Sequence, residues 1–320
     1  MIGPALVNQL LKDTWEVRVL SRRPFNPNLF VDHVDCMFGD IRDINFLQTA
    51  MKGVDVAFHL AAKLHINNPS PKQSEEYHHI NVDGALKVAQ AAIKAKVKRL
   101  VHFSTIGVYG PSVAIEPYQE TSSLNPQSLY ALSKIRSEEG ILKLFHGQKQ
   151  SSAVILRLSA VYGPRLQGNY RTLVKALQRG LFWPVGNGEN RRTMIYIDDM
   201  VRAAILAAEH PKAAGNIFNV TDGKIHTLND VLNAIAFALG KTPPGFHLPG
   251  RPVQVFSSLT DHLSNALRLP VPGLRNLVDK MMEDVAVSGE KICNDLSFIP
   301  RYDLEHGWQA ALCRQSKNAS

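Results

Sequence analysis

The segment RLVHFSTIGVYG at residues 99–110, followed by SLYALSK at residues 128–134, decides how this sequence folds. Residues 100–103 form an apolar run, which predicts a buried strand. The run ends at Ser104 and Thr105, so the predicted strand presents two hydroxyl groups at its carboxyl end. We therefore expect this strand to carry part of a functional site.

Tyr130 and Lys134 are four residues apart in a helical segment, so both side chains lie on one face of the helix. A phenol ordinarily ionises at about pH 10, and a nearby ammonium group favours the phenolate. With a hydroxyl group to hold the substrate oxygen, such a pair forms a proton-transfer device for an alcohol that becomes a ketone. The spacing alone is weak support, because a surface helix with an exposed Tyr and Lys shows it too.

The composition is typical of a globular protein with one large and one smaller domain: 320 residues, 45% hydrophobic and 20% charged. The sequence has no apolar run of about 18 residues, so we expect no membrane-spanning helix. It also shows no signal-peptide pattern. The three cysteines are widely spaced and fit neither a disulfide framework nor a zinc site, which favours a cytoplasmic location.

The net charge of +8 and the isoelectric point of about 9.4 raise the question of nucleic-acid binding. However, the Lys and Arg residues are scattered, and no basic run is interleaved with aromatic residues. A basic surface that attracts small anionic, phosphate-bearing ligands is the simpler interpretation. The histidines show no consistent metal-ligand spacing with carboxylates, so we expect no metal.

Thr105, the Val108-Tyr109-Gly110 motif, and the Tyr130/Lys134 pair resemble the extended short-chain dehydrogenase/reductases, in particular the nucleotide-sugar epimerase/dehydratase family. The resemblance implies that Thr105, Tyr130 and Lys134 are catalytic. Strands that alternate with helices independently predict an α/β fold with a doubly wound parallel sheet. The family adds the expectation of a Rossmann-like sheet with a smaller C-terminal substrate-binding region.

The start of the chain departs from the family pattern. In the family, a first strand and a Gly-x-x-Gly-x-x-Gly turn precede the first helix, and Gly3 matches the last of these glycines. The first two glycines permit the tight bend and the close approach of the backbone to a pyrophosphate. Because the strand and those glycines are not in this sequence, we expect an N-terminally truncated domain, through a misplaced start or a real deletion.

Arg22 and Arg23 follow the segment at residues 16–20, which is predicted to be a strand. In this fold an acidic residue there binds the ribose 2′-hydroxyl of NAD, whereas an arginine accommodates the 2′-phosphate of NADP. The strand ends without an acidic residue, so NAD and NADP both remain candidate cofactors. Two solvated loop arginines would give the same sequence.

The remaining cofactor contacts are implied by the resemblance. The Gly-Asp-Ile-Arg-Asp segment at residues 39–43 would flank the adenine, and the Asn-Val-Asp-Gly segment at residues 81–84 would support the catalytic region from behind. The small residues that end the strand at residues 54–62 let a cofactor approach the backbone. The implied cofactor-binding residues are Gly3, Arg22, Arg23, Asp40, Ile41, Leu60, Ala61, Ala62, Asn81, Tyr130, Lys134, Val161 and Tyr162.

For the substrate, the resemblance implies that Arg192 grips the diphosphate of a nucleotide sugar. Asn169 and Thr105 complete the implied substrate-binding set. We expect residues 1–163, completed by residues 192–220, to form the NAD(P)-binding domain. Residues 164–191 and 221–313 would form the substrate-binding region, and residues 314–320 a disordered tail.

The function implied is an NAD(P)-dependent nucleotide-sugar 4-epimerase that acts on a UDP-hexose through a 4-keto intermediate. One alternative is an NADPH-dependent UDP-4-keto-sugar reductase of surface-polysaccharide synthesis, and another is a 3β-hydroxysteroid-type dehydrogenase. A non-catalytic nucleotide-binding relative is a third, although Thr105, Tyr130 and Lys134 argue against it. The expected partner is a nucleotide-sugar small molecule, with no nucleic acid and no membrane, and a homodimer is the oligomer considered.

Overall fold

The computed structural model describes residues 2–26, 29–32, 34–64, 70–166, 168–180, 182–250 and 282–317. Ten strands follow the chain in order. They are β1 (Arg18–Ser21), β2 (Asp35–Phe38), β3 (Val56–His59), β4 (Arg99–Thr105), β5 (Ser152–Leu158), β6 (Ala160–Tyr162), β7 (Arg191–Arg192), β8 (Met194–Tyr196), β9 (Ile217–Val220) and β10 (His226–Thr227).

The described residues form ten α-helices and one π-helical segment. They are α1 (Ile2–Lys12), α2 (Ile44–Ala50), α3 (Pro71–Tyr77), the π-helix (His78–Gly84), α4 (Ala85–Lys94), α5 (Leu129–Phe145), α6 (Gly168–Gln178), α7 (Ile197–Glu209), α8 (Leu228–Ala238), α9 (Glu290–Leu296) and α10 (Leu304–Lys317). Two short 3₁₀ turns cover Ile106–Val108 and Pro211–Ala213. No helix in these ranges is long and apolar enough to cross a bilayer.

The central sheet has the order β3-β4-β5-β9, and all of its strands are parallel. The strands β4 and β5 are buried on both faces, which is why their sequences read as nearly continuous apolar runs rather than alternating ones. Helices α2, α4 and α5 cover one face of the sheet. Helices α1, α7, α8, α9 and α10 cover the other. The prediction of a doubly wound parallel α/β fold is confirmed.

The strands β1 and β2 form a separate parallel ribbon. Among the described strands, β1 pairs only with β2, and β3 pairs only with β4, so one edge of each has no ladder partner there. Half-buried side chains on both sides, such as Val17 and Phe58, nevertheless pack against the same apolar core. Among the described residues, the sheet is therefore divided between β1 and β3.

The chain after β5 builds a second set of elements. The strands β6 and β8 pair in parallel, and β7 pairs with β10 in antiparallel fashion. The predicted division into two domains stays a prediction, and residues 251–281 of its second part lie outside the described residues. Helix α10 extends to Lys317 and residues 318–320 are not described, so the predicted disordered tail at residues 314–320 also stays a prediction.

Candidate active site

The catalytic candidates lie where β4 ends and α5 begins. Strand β4 runs between β3 and β5, and Thr105 is its last residue. Helix α5 starts at Leu129 because the Ser128 hydroxyl oxygen caps it, accepting a hydrogen bond from the Ala131 amide at 3.1 Å. Tyr130 then falls in the first turn of the helix, as the sequence predicts.

Lys134 joins the helix directly to the strand. Its side chain is buried, and Nζ donates a hydrogen bond of 2.8 Å to the carbonyl oxygen of Phe103. Burial lowers the pKa of Lys134 to about 8, although the nearby Glu138 carboxylate opposes this shift. Lys134 is therefore mostly an ammonium ion at neutral pH and loses its proton at mildly alkaline pH.

Tyr130 does not have the lowered pKa that the sequence predicts. Burial raises the pKa of its phenol to about 12, and the adjacent Tyr77 adds to this shift. The Lys134 ammonium is held by the Phe103 carbonyl, and Nζ lies 5.9 Å from the centroid of the Tyr130 ring. The expected lowering by Lys134 is therefore wrong for this structure, because desolvation of the phenol outweighs a charge that is directed elsewhere.

Thr105 has the geometry of a hydrogen-bond donor to a ligand. Its side chain is partly exposed, and Oγ1 accepts a hydrogen bond of 3.1 Å from the Gly107 amide. With one lone pair engaged, the hydroxyl can direct its proton toward a substrate oxygen. The following Ile106 packs in one apolar cluster with Ile135 of α5, which holds this turn against the helix.

Asn81 lies behind α5, as the resemblance implies. It is buried in the π-helix, and its Nδ2 donates to Ser133 Oγ at 3.0 Å and to the Lys63 carbonyl at 3.1 Å. Its Oδ1 accepts from the Lys63 amide at 2.7 Å. Ser133 Oγ in turn donates to the carbonyl of Tyr130 at 2.7 Å. Asn81 thus ties the loop after β3 to the first turn of α5, and π-helical segments are frequent at functional sites.

Four cofactor candidates come together at the ends of β1 and β2. Arg22 and Arg23 are exposed just after β1, and the charge of Arg22 reaches Asp40 after β2. Asp40 forms an ion pair of 2.7 Å with Arg42, whose hydrogen bond lowers the pKa of Asp40 to about 2. Ile41 packs on Gly84, where a Cβ would lie 2.8 Å from the Ile41 side chain. This corner therefore presents cationic groups beside an apolar side chain.

The segment after β3 is only partly buried. Leu60 and Ala62 are partly buried, and Ala61 is exposed, at the carboxyl end of the parallel sheet. Val161 in β6 is also partly buried. Tyr162 is different: it is fully buried, and its ring stacks on Trp308 with centroids 4.6 Å apart. A side-chain contact between Tyr162 and a cofactor is therefore excluded in this structure, and only its main chain remains available.

The other candidates lie further from β4. Gly3 is in the first turn of α1, where an added Cβ would meet no atom within 4 Å. Asn169 is exposed at the start of α6. Arg192 is partly buried in β7, and its guanidinium donates to the carbonyl of Glu283. The substrate-binding roles of Asn169 and Arg192 stay predictions.

A buried ion pair that was not predicted from the sequence lies beneath the site. Arg157 of β5 and Glu138 of α5 are both buried, and Arg157 Nη2 lies 2.7 Å from Glu138 Oε2. The signal was available, because an arginine inside the apolar strand AVILRL needs a buried acidic partner.

His59 and His102 form a second buried feature, with ring centroids 5.2 Å apart. Burial lowers the pKa of His59 to about 3, so this histidine is neutral.

A surface groove of about 320 Å³ lies at a different place. The C-terminal halves of α1 and α7 and the segment at residues 297–299 line it. Helix α1 leads into β1 and α7 leads toward β9, so their C-terminal ends lie near the amino ends of the strands. Ligands of open parallel sheets bind at the carboxyl ends. The groove therefore does not belong to the candidate active site.

A doubly wound parallel sheet with a hydroxyl group, a phenol and an ammonium group at its carboxyl edge defines a class of enzyme. Such enzymes transfer a proton at an alcohol or ketone while a nucleotide cofactor is bound at the same edge. The chain belongs to the NAD dependent epimerase/dehydratase family, whose model matches residues 1–221. The family is NAD(P)-dependent.

Known proteins of this family resemble the chain over most of its length. A UDP-glucose 4-epimerase of Vibrio cholerae is 30% identical over 256 residues, which is 78% of this chain and 75% of that protein. An N-acetyl-alpha-D-glucosaminyl-diphospho-ditrans,octacis-undecaprenol 4-epimerase of Escherichia coli O157:H7 is 29% identical over 212 residues, which is 66% of this chain and 62% of that protein. The solved structure of the UDP-glucose 4-epimerase of Thermus thermophilus in complex with NAD superposes with a TM-score of 0.76 at 25% identity. The match covers 99% of this chain and 96% of that one.

The residues present fit the adenosine half, the nicotinamide half and the pyrophosphate of an NAD(P) molecule. The cationic corner of Arg22 and Arg23 suits the adenosine ribose and its 2′-substituent. Tyr130 and Lys134 provide a phenol and an ammonium group on α5, which Asn81 ties to the loop after β3. For the pyrophosphate, the described residues offer the N-terminal turn of α1 with Gly3, and backbone amides at a helix start suit an anion.

Proposed function

We propose that this protein is an NAD(P)-dependent nucleotide-sugar 4-epimerase that acts on a UDP-hexose through a 4-keto intermediate. The observation that carries the proposal is the seating of Tyr130 and Lys134 on α5 against the end of β4, where Thr105 lies. The similarity to the Vibrio cholerae UDP-glucose 4-epimerase supports the choice of substrate and of the 4-position.

We assign the cofactor to the carboxyl edge of the sheet. Arg22, Arg23 and Asp40 would hold the adenosine half, and Leu60, Ala61, Ala62, Val161 and the main chain of Tyr162 would line the nicotinamide half, with Asn81 behind α5. When bound, the cofactor would supply the hydride acceptor and donor that a 4-keto intermediate requires and, in its oxidised form, a positive charge in the site. Arg192 and Asn169 would bind the nucleotide sugar.

In this proposal Tyr130 moves the proton and Thr105 orients the oxygen. The Thr105 hydroxyl donates to the substrate oxygen, since its own oxygen already accepts from Gly107. Tyr130 takes the proton of the 4-hydroxyl as a phenolate and returns it as a phenol. Because burial raises the pKa of Tyr130 to about 12, the phenol is the resting form near neutral pH, and a positive charge beside it must favour the phenolate.

A keto-sugar reductase is the second candidate, and two observations favour it. Reduction of a 4-keto sugar needs a proton donor, and a phenol with a raised pKa keeps its proton until the reduction occurs. The exposed pair Arg22 and Arg23 also suits the 2′-phosphate of NADPH. The two candidates use the same residues and differ in their redox balance.

Redox accounting separates the two candidates. We expect purified protein with NAD or NADP to convert UDP-galactose or UDP-N-acetylgalactosamine to its 4-epimer, which chromatography detects. The absorbance of the reduced nicotinamide should show no net change during this conversion. Tyr130→Phe provides the inactive control. Stoichiometric consumption of NADPH with a UDP-4-keto sugar, and no epimer from any UDP-hexose, would replace the epimerase by the reductase.

A further inference from the structure

Helix α5 is fastened to the end of β4 by three consecutive contacts. His102 Nε2 lies 3.1 Å from Ser137 Oγ, Lys134 Nζ donates to the Phe103 carbonyl at 2.8 Å, and Ser104 Oγ donates to the Glu138 carboxylate. These contacts form a seam of buried polar groups between helix and strand. Thr105 is the next residue of the strand, so the seam decides where the Thr105 hydroxyl lies relative to Tyr130.

Glu138 is the most strongly held member of this seam. The Arg157 guanidinium approaches the Glu138 carboxylate through Nε at 3.1 Å and Nη2 at 2.7 Å, and both residues are buried. Arg157 Nη1 also donates to the Tyr109 hydroxyl at 2.8 Å. Tyr109 Oη then donates to Asn219 Oδ1 of β9 at 2.8 Å. One carboxylate thus anchors the helix, two central strands and the turn after Thr105.

We propose that Glu138, held by Arg157, is a positioning residue that sets the register between α5 and the end of β4, so that Thr105 and Tyr130 address the same substrate oxygen, and that its charge balances the Lys134 ammonium. The inference rests on the proposed function for the reaction that is positioned. The geometry of the seam is independent of the proposed function, because its contacts lie within the protein itself. Neither Glu138 nor Arg157 touches the substrate in this proposal.

The kinetic test compares Glu138→Gln, which keeps the side-chain shape, with Glu139→Gln at the exposed neighbouring position. We expect kcat to fall by roughly 10²-fold in Glu138→Gln with little change in KM, since a misplaced group near the chemistry costs about that much. Glu139→Gln should behave as the parent does. A parent-like kcat in Glu138→Gln would overturn the positioning role.

A loss of stability could imitate a loss of positioning, because Glu138→Gln leaves Arg157 buried without its ionic partner. The double variant Glu138→Gln/Arg157→Gln removes both charges and should recover melting temperature. If kcat remains low after the stability returns, the positioning role is supported. If kcat recovers together with the melting temperature, Glu138 is only structural and the proposal is overturned.

A third measurement needs no substrate, so it distinguishes a failed inference from a failed proposed function. The charged and titratable groups around Lys134 are Glu138 and Tyr130 on α5, His59 on β3 and His102 on β4. The pKa of Lys134 is about 8 against an ordinary value of 10.5. Between these values the unfolded chain binds more protons, so stability due to Lys134 rises as the pH increases and is lost as the pH falls.

Without the Glu138 charge, the pKa of Lys134 should fall further, and this rise in stability should begin below pH 8. Thermal melting against pH, with each protein compared to its own Lys134→Met variant, isolates the Lys134 contribution. We expect the rise in melting temperature to begin at lower pH in Glu138→Gln than in the parent. Identical curves would show that Glu138 does not act on Lys134 and would overturn the proposal even if the reaction class is different.

Discussion

The two halves of the sheet are held together in different ways. The half with β3, β4, β5 and β9 is one continuous parallel sheet, and a buried polar network fastens α5 to it. The half with β1 and β2 is a short ribbon whose strands have four residues each. The proposed catalytic groups therefore lie on the well-buried part of the sheet, whereas the proposed adenosine site lies on the less supported part.

This difference has an energetic basis. In the central half, every side chain of β4 before Thr105 is buried, so opening the strand would expose a large apolar area. In the ribbon, β1 and β2 contain no fully buried residue. Ion pairs such as Arg18 with Asp35 at 2.5 Å link the ribbon strands, but exposed pairs contribute little, about 0–1 kcal/mol. We therefore expect catalysis and cofactor affinity to respond to separate mutations.

The largest expected effect tests the catalytic half alone. Tyr130→Phe should reduce kcat by about 10²–10⁴-fold, because it removes the oxygen that exchanges the proton. Cofactor affinity and melting temperature should change little, since the ring and its packing on Tyr77 remain. Steady-state kinetics, cofactor titration and thermal melting measure the three quantities.

Tyr302→Phe is the matched control for that variant, since Tyr302 lies in the C-terminal part, where its ring packs on Tyr196. The control should retain parental kcat. Retention of more than half of the activity by Tyr130→Phe would exclude the proposed proton transfer.

A smaller effect tests the ribbon alone. The double variant Arg22→Ala/Arg23→Ala should weaken NADP binding by about 10–100-fold relative to NAD, which corresponds to about 1.5–3 kcal/mol for hydrogen bonds to a charged group. Turnover at saturating cofactor should stay close to that of the parent, because the catalytic groups lie on the other half. Calorimetric titration with both cofactors measures the ratio.

Arg136→Ala removes an exposed arginine from α5 and serves as the control for charge alone. If the parent binds NAD and NADP equally and the double variant leaves both affinities unchanged, neither arginine selects the cofactor.

The sequence predicts the central half well and the site only in part. The apolar runs of β4 and β5 and the spacing of Tyr130 and Lys134 are local patterns, and the structure confirms the strand, the helix and their meeting point. The direction of the Tyr130 pKa could not be predicted, because it depends on burial under other elements and on where the Lys134 ammonium points. The buried side chain of Tyr162 likewise depends on Trp308, which is 146 residues further along the chain.

The smallest expected effect concerns two helix caps. Asp43 Oδ1 accepts hydrogen bonds from Asn45 N at 2.9 Å and Phe46 N at 3.2 Å at the start of α2, which covers the central sheet and also accepts a hydrogen bond from Arg18 of β1 at its last residue, Ala50. Thr227 forms a capping box with Asp230 at the start of α8, which packs on the central core. Replacing either cap by alanine should cost about 1 kcal/mol locally, with a range of about 0.5–2 kcal/mol.

The two cap variants should differ in how far the loss spreads. If the ribbon opens independently, Asp43→Ala will accelerate amide hydrogen exchange in β1, β2 and α2 while the slowest amides of β4 and β5 keep their rates. Thr227→Ala weakens a helix of the central core, so it should accelerate exchange of those slowest amides as well. Equal acceleration of the β4 and β5 amides by both variants would mean that the sheet unfolds as one unit. The proposed difference in stability between the central sheet and the ribbon would then have to be abandoned, because the gap between β1 and β3 would not separate two units of unfolding.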